Sequence, residues 1–234
     1  MSNKIIGALN DFIGLIYPDV CSGCGNILLK HEKYICTKCL FDIPKTKFHD
    51  DDENVVNKLF WGKTRIEAAT AYCYFHKEGI LQQLLHQLKY KGKKEVGYLL
   101  GKYLGAELLE SVKFSTIDKV IPIPLHPKRL KKRGYNQSEW IGNGIIEIMN
   151  LEIDNISVIR DTYTETQTNK NREQRWDNVK SIYKVCDENA LKGKHILLVD
   201  DVITTGATIE ACAQTILQIP DVKVSIAALA VAHN

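Results

Sequence analysis

Residues 196–208, Ile-Leu-Leu-Val-Asp-Asp-Val-Ile-Thr-Thr-Gly-Ala-Thr, leave this chain little freedom in how it can fold. Ile196 to Val199 are four consecutive aliphatics, which predicts a strand buried on both faces, the situation of a strand inside a parallel α/β sheet. Asp200 and Asp201 stand where that strand is expected to end, and in open α/β sheets ligands bind beyond the carboxyl ends of the strands. Thr204, Thr205, Gly206, Ala207 and Thr208 then supply three hydroxyls, a glycine and a run of backbone N–H groups. They open an apolar helix expected over Ile209 to Ile219, so the turn reads as an anion cradle.

Paired acids before a hydroxyl-rich turn suit a ligand that carries a diol and a phosphate, which describes a phosphoribosyl group. The competing reading is a buried strand with a capped turn, its acids merely at the surface. The stretch resembles the signature of the type I phosphoribosyltransferases, which bind phosphoribosyl pyrophosphate (PRPP). The resemblance implies that Asp200 and Asp201 are the catalytic acids on the ribose and that Thr204 to Thr208 hold the 5-phosphate. Purine-salvage members usually carry an acidic residue where this chain has Thr204, and threonine cannot transfer protons at neutral pH. The likeness therefore speaks for PRPP more strongly than for any one nucleobase.

The chain has 234 residues, which suits one α/β core with a small appendage. A formal net charge of +3 permits nucleic-acid contact without arguing for it, and no stretch is apolar for long enough to span a bilayer. Residues 1–17 have apolar positions at 5, 6, 9, 12, 13 and 16, the spacing of a docking helix. Cys21-Ser-Gly-Cys24 and Cys36-Thr-Lys-Cys39 are two Cys-x-x-Cys pairs with eleven residues between them, room for a small hairpin over Ile27 to Ile35. Structural zinc, disulfides and a redox pair compete; the repeated pairs without a secretory signal favour a closed four-thiolate zinc site. Cys73, Cys186 and Cys212 are isolated and read as small buried residues. The acidic break from His49 to Asn54 reads as a solvated linker, dividing a 1–48 module and a 49–63 linker from a 64–234 domain.

Further on, Ala68 to Phe75 has strand content, and Gly79 to Tyr90 turns helical, with His86 off its apolar stripe. Lys89-Tyr-Lys-Gly-Lys-Lys94 is either a phosphate contact or a solvated helix end. An amphipathic helix over Val96 to Leu109 precedes Val120 to Pro124, read as the first strand of the core. Lys128, Arg129, Lys131, Lys132 and Arg133 follow as five cations within six residues, expected to be a basic loop for pyrophosphate or an exposed basic loop. Its place after a core strand, at the edge that carries Asp200, favours pyrophosphate. Asn136 to Met149 reads as the crossover helix of a βαβ unit, Val158 to Arg160 as the second strand, and Ser181 to Val185 as a return to the sheet. Between the last two, Asp161 to Asn178 holds Arg172 and Arg175 but no aliphatic core residues. It reads as a lid that would exclude water from a cation-like sugar. Val222 to Val231 is expected as the final buried strand.

Taken together, the cysteine knuckles, Ile121-Pro-Ile-Pro-Leu-His-Pro-Lys-Arg-Leu with Arg133-Gly-Tyr-Asn-Gln, Thr166-Gln with Arg172 and Arg175, and the 200–208 stretch closely resemble the ComF family. The resemblance covers practically the whole chain. It implies a type I phosphoribosyltransferase-like α/β domain, a mainly parallel sheet flanked by helices, behind a small zinc-ribbon-like module. It also implies a cytoplasmic protein linked to DNA uptake in natural transformation, with zinc in the module, magnesium accompanying PRPP, and single-stranded DNA and competence helicase or recombination proteins as partners. Two functions stay open: magnesium-dependent transfer of phosphoribose, and a PRPP-sensing scaffold that binds DNA or partner proteins.

Overall fold

The computed structural model describes residues 18–160 and 182–232. Its elements run in the order α1 (Thr37–Asp42), α2 (Val55–Lys58), β1 (Ala69–Phe75), α3 (Ile80–Tyr90), α4 (Lys94–Glu110), β2 (Lys119–Pro122), α5 (Pro127–Arg133), α6 (Gln137–Met149), β3 (Glu152–Ile153), β4 (Val158–Arg160), β5 (Tyr183–Val185), β6 (His195–Ile203), α7 (Ala207–Ile216) and β7 (Lys223–Ala232). Five strands form a sheet in the order β1-β7-β6-β2-β3, and every neighbouring pair is parallel. The expected mainly parallel α/β sheet flanked by helices is therefore present, with α6 as the crossover between β2 and β3.

A strand in the middle of such a sheet must satisfy two cores at once, and the aliphatic run of β6 does so by alternation. Leu197 and Val199 pack with Leu84, Leu88, Leu100, Leu104 and Ile141 of α3, α4 and α6 on one face. Ile196 and Leu198 pack on the other with Phe60, Ile209, Cys212 and Ile216. On the first face α4 and α6 approach to backbone contact. A Cβ at Gly101 would collide with the Ile141 carbonyl, and one at Gly144 with the Tyr98 carbonyl. The cysteine module belongs to this face as well: Cys21, Ile35, Cys39 and Ile43 share a core with Leu81, Leu84 and Leu85 of α3.

Several local expectations change. Val158–Arg160 is not the second strand of the sheet. The place beside β2 is taken by β3, and the chain is then turned away by buried Asp154, whose carboxylate accepts from Ile156 N (3.0 Å), Ser157 N (2.9 Å), Ser157 Oγ (2.7 Å) and Lys119 Nζ (3.3 Å). β4 instead pairs antiparallel with β5, so 183–185 does not return to the main sheet either. Residues 49–54, expected to be solvated, instead end in a buried anchor at Asn54. The Asn54 amide donates to Phe48 O, Asp51 O and Ala69 O, while its Oδ1 accepts from Val56 N and Asn57 N, and Val56 and Phe60 are core residues. The 27–35 hairpin reduces to isolated bridges, Val20 with Ile27 and Lys33 with Ile35. Cys73 and Cys212 are buried as expected, but Cys186 is exposed. The docking-helix segment 1–17 and the lid segment with Arg172 and Arg175 lie outside the described residues. Among those described, no helix is long and apolar enough to cross a membrane.

Alanine favours an isolated helix over glycine, but at position 101 the added methyl meets backbone rather than a movable side chain. Gly101→Ala is therefore expected to lower the unfolding free energy by about 2 kcal/mol, the scale of an overpacked core. Urea denaturation measures this, and a stabilised variant would show that the two helices are not packed backbone to backbone.

Candidate functional site

The crevice exists because two neighbouring strands have different lengths. β2 pairs with β6 up to Pro122 opposite Val199, and the Ile123 N–H donates to Val199 O (2.9 Å) before the chain leaves for α5. β6 does not end at the acids as its sequence predicts. It continues beside β7 through Ile203, whose partner is Val231. Asp200 and Asp201 therefore sit on a strand that is still held on one side, next to a gap where the other neighbour has stopped. The N-terminus of α6 faces that gap. Asn136 caps the helix by accepting from Ser138 N and donates its amide to Ile123 O (3.0 Å), and Ser138 Oγ donates to Asp200 Oδ1 (3.0 Å).

Two acids on adjacent residues in a recessed place need compensation. Asp200 Oδ1 also accepts from Asp201 N (2.8 Å), and Lys89 Nζ, from the last turn of α3, donates to Asp201 Oδ1 (2.8 Å). The Asp200 carboxyl is nevertheless pushed up from 3.8 to about 7, first by burial and next by the neighbouring Asp201, against the lowering effect of the hydrogen bonds and of Lys89. Beyond the acids, Thr204 to Thr208 form the turn into α7. Gly206 takes the left-handed φ of +78° at the N-cap, with Phe60 ring carbons 3.2 and 3.4 Å from where a Cβ would stand. The turn, together with Asp200, Val202, Ile203 and Ile209, lines a cavity of about 40 Å³. Thr204, Thr205 and Thr208 are exposed, and helix N–H groups with hydroxyls around a small hollow are suited to an anion.

The basic run forms a short helix rather than the expected loop. Pro127 stands at its first turn, the His126 side chain caps it by accepting from Lys128 N, and Gly134 ends it with φ +81°. Lys128, Arg129, Lys131 and Lys132 are exposed at the same sheet edge as the acids. Arg133 turns back, donating to Gln137 Oε1 (2.5 Å) with its guanidinium 5.5 Å from the Tyr90 ring centre. Sequence reasoning missed Lys89 and Ser138 as partners of the acids. Lys89 lies 112 residues from Asp201, within a stretch whose lysines look alike.

The second cluster is the cysteine knuckle. The thiol sulfurs of Cys21, Cys24, Cys36 and Cys39 all lie within 4.8 Å of one another, and Cys24 Sγ is 3.7 Å from Cys36 Sγ. A tetrahedral zinc with Zn–S bonds of about 2.3 Å would hold its sulfurs about 3.8 Å apart, so the four-cysteine arrangement fits that metal. Gly23 N and Cys36 N donate to Cys21 Sγ (3.3 and 3.2 Å), and Cys39 N donates to Cys36 Sγ (3.4 Å). Burial works against the Cys21 thiolate, yet backbone donors from Cys36, Cys24 and Gly23 bring its pKa down to about 7. Cys39 is pushed far above the ordinary thiol range by burial and by its sulfur neighbours. The backbone donors favour the Cys21 thiolate, whereas the raised thiols of Cys36 and Cys39 call for a cation beside them to bind as thiolates.

The fold and the site define a class: residues 116–234 match the phosphoribosyl transferase domain. The chain is 31% identical to the DNA utilization protein YhgH of Shigella flexneri over 141 residues, 59% of this chain and 61% of the relative. It is 25% identical to the competence protein ComFC of Streptococcus pneumoniae over 190 residues, 81% of this chain and 77% of the other. It also resembles the competence protein F of Haemophilus influenzae, at 28% identity over 48% of this chain and 50% of that one. Among solved structures, the glutamine PRPP amidotransferase of B. subtilis aligns over 60% of this chain and 30% of its own at 19% identity, with a TM-score of 0.42. The chain belongs to the ComF family of phosphoribosyltransferase-domain proteins.

Two measurements follow. Asp200 binds its proton more tightly folded than unfolded, so its contribution to stability falls as pH rises from about 4 to about 7 and is flat above. Asp200→Asn removes that dependence, and its thermal midpoint relative to wild type should be higher at about pH 8 than at about pH 5; parallel profiles would contradict the raised pKa. Purified protein should carry about one zinc per chain by elemental analysis, and Cys39→Ser should lose it and melt earlier, because a structural metal couples its binding to folding. Metal-free protein from chelator-free buffers would rule the zinc site out.

Proposed function

We propose that the chain binds PRPP at the carboxyl edge of the sheet and transfers its phosphoribosyl group to an acceptor with release of pyrophosphate. The observation that carries this reading is the acid pair on β6 beside the gap left by β2, with a hydroxyl-lined anion hollow one turn further on. Asp200 and Asp201 accept from the ribose hydroxyls, and Thr204 to Thr208 hold the 5-phosphate. The pyrophosphate lies toward the exposed cations Lys128, Arg129, Lys131 and Lys132, with magnesium accompanying it as part of the substrate. In the transfer, the bond from the anomeric carbon to the pyrophosphate oxygen breaks and the acceptor's nucleophile bonds to that carbon. Thr204 cannot take up the acceptor's proton at neutral pH, so that proton leaves to some other base, such as water or the departing pyrophosphate.

A second reading, a PRPP-dependent scaffold for single-stranded DNA or for competence partners, is favoured by the solvent-exposed cations of α5 and by the names of the relatives. Both readings need PRPP bound. PRPP with magnesium should raise the thermal midpoint, because a ligand held by the folded state alone stabilises it, and Asp200→Ala with Asp201→Ala should abolish the shift. A shift that survives the double substitution would place PRPP elsewhere. Pyrophosphate release on addition of candidate acceptors separates the enzyme from the scaffold.

A further inference from the structure

The phosphoribosyl transferase domain match starts at residue 116, yet a group from well before it is bonded to the acid pair. Lys89 Nζ lies 2.8 Å from Asp201 Oδ1, and the contact is recessed at both ends, the side chains being 21% and 14% exposed. Exposed ion pairs of this kind contribute little, because water screens them and the long side chains must be ordered. Here the ordering is already done by the surroundings. The preceding residue, Leu88, is fully buried, its carbonyl accepts the Tyr135 hydroxyl, and the following residue, Tyr90, lies under the Arg133 guanidinium. The end of α3 is thus fastened to the α5–α6 connection on both sides of Lys89.

We propose that Lys89 is a positioning residue of the phosphoribosyl site, its ammonium, 2.8 Å from Asp201 Oδ1, aiming that carboxylate so that both acids can accept the ribose hydroxyls. This rests on the phosphoribosyl reading of the site given above. Two neighbouring carboxylates repel each other, and the pair relieves that repulsion by keeping a proton unless a cation stands beside it. Among the described residues Lys89 is the cation paired with this acid. The other groups facing the pair do not supply charge: Ser138 of α6 is a neutral donor, and Tyr183 of β5 and Cys212 of α7 are both pushed up by burial and stay neutral. Asp200 already sits near neutrality with Lys89 present, and Lys89 lowers it. Without the ammonium, the pair would hold a proton at neutral pH and offer the diol one carboxylate too few. The phosphate hollow, built mainly by the 204–208 turn with Asp200 at its edge, would change little.

The test uses ribose 5-phosphate, which carries the hydroxyls and the phosphate without pyrophosphate, and inorganic phosphate as the control for the hollow. Calorimetric titrations are made with the full chain as wild type, Lys89→Met and Lys89→Arg. Lys89→Met keeps the aliphatic stem and is expected to weaken ribose 5-phosphate about tenfold at about pH 7, with inorganic phosphate changed less than about twofold. The deficit should shrink at about pH 9, where the pair ionises without help, and Lys89→Arg should recover most of the affinity. Lys89→Met binding ribose 5-phosphate as tightly as wild type, or losing inorganic phosphate in parallel, overturns the role. A wild type that gains nothing for ribose 5-phosphate over inorganic phosphate overturns the phosphoribosyl reading itself, and the role of Lys89 with it.

Discussion

The structure depends on the demand made of one strand. β6 is sealed between two cores along Ile196 to Val199 and must then present two carboxylates to the crevice within the next two residues. Burial on both faces gives the acids a rigid base, since an interior strand cannot shift without breaking both cores. The same burial is why they need help, because charge placed close to a packed interior is stabilised by specific partners or not at all. Ser138, the Asp201 amide and Lys89 are those partners, and each comes from an element fixed by the fold: the capped start of α6, the strand itself and the end of α3.

Elements whose information is local were legible in the sequence. The aliphatic run, the acids and the glycine turn lie within one short stretch, and the structure retains them as strand, edge and helix start. The paired cysteines were legible for the same reason, since a knuckle turn places two thiols together whatever surrounds it, and four sulfurs do converge. The helix α6 was legible as a crossover, although the strand it leads to is Glu152–Ile153 and not the expected Val158–Arg160.

What could not be read depended on pairing across distance. Val158–Arg160 and Tyr183–Val185 have ordinary strand composition, and nothing within them says that they pair with each other instead of joining the sheet. The decision lies in Asp154, which turns the chain away through four hydrogen bonds and looks like any surface acid in a sequence. Asn54 deceived in the same way: set in an acidic run that suggests solvent, it satisfies five backbone groups and pins that run to the core. The basic run was correctly seen as cationic but misjudged in shape, because its His cap, early proline and terminal glycine were outweighed by its charge.

Helix α3 touches the cysteine module with Leu81, Leu84 and Leu85 and ends at the acid pair with Lys89, so it works as a ruler between the two clusters. A helix advances about 1.5 Å and turns about 100° with each residue. Adding or removing one residue between Leu85 and Lys89 would swing the ammonium a quarter-turn away from Asp201 while the leucines kept their seats. The module and the acid-pair site can therefore each vary in sequence, but the distance in residues between them is fixed. Grafting this cysteine knuckle onto another sheet would require the helix to be carried with it at its present length.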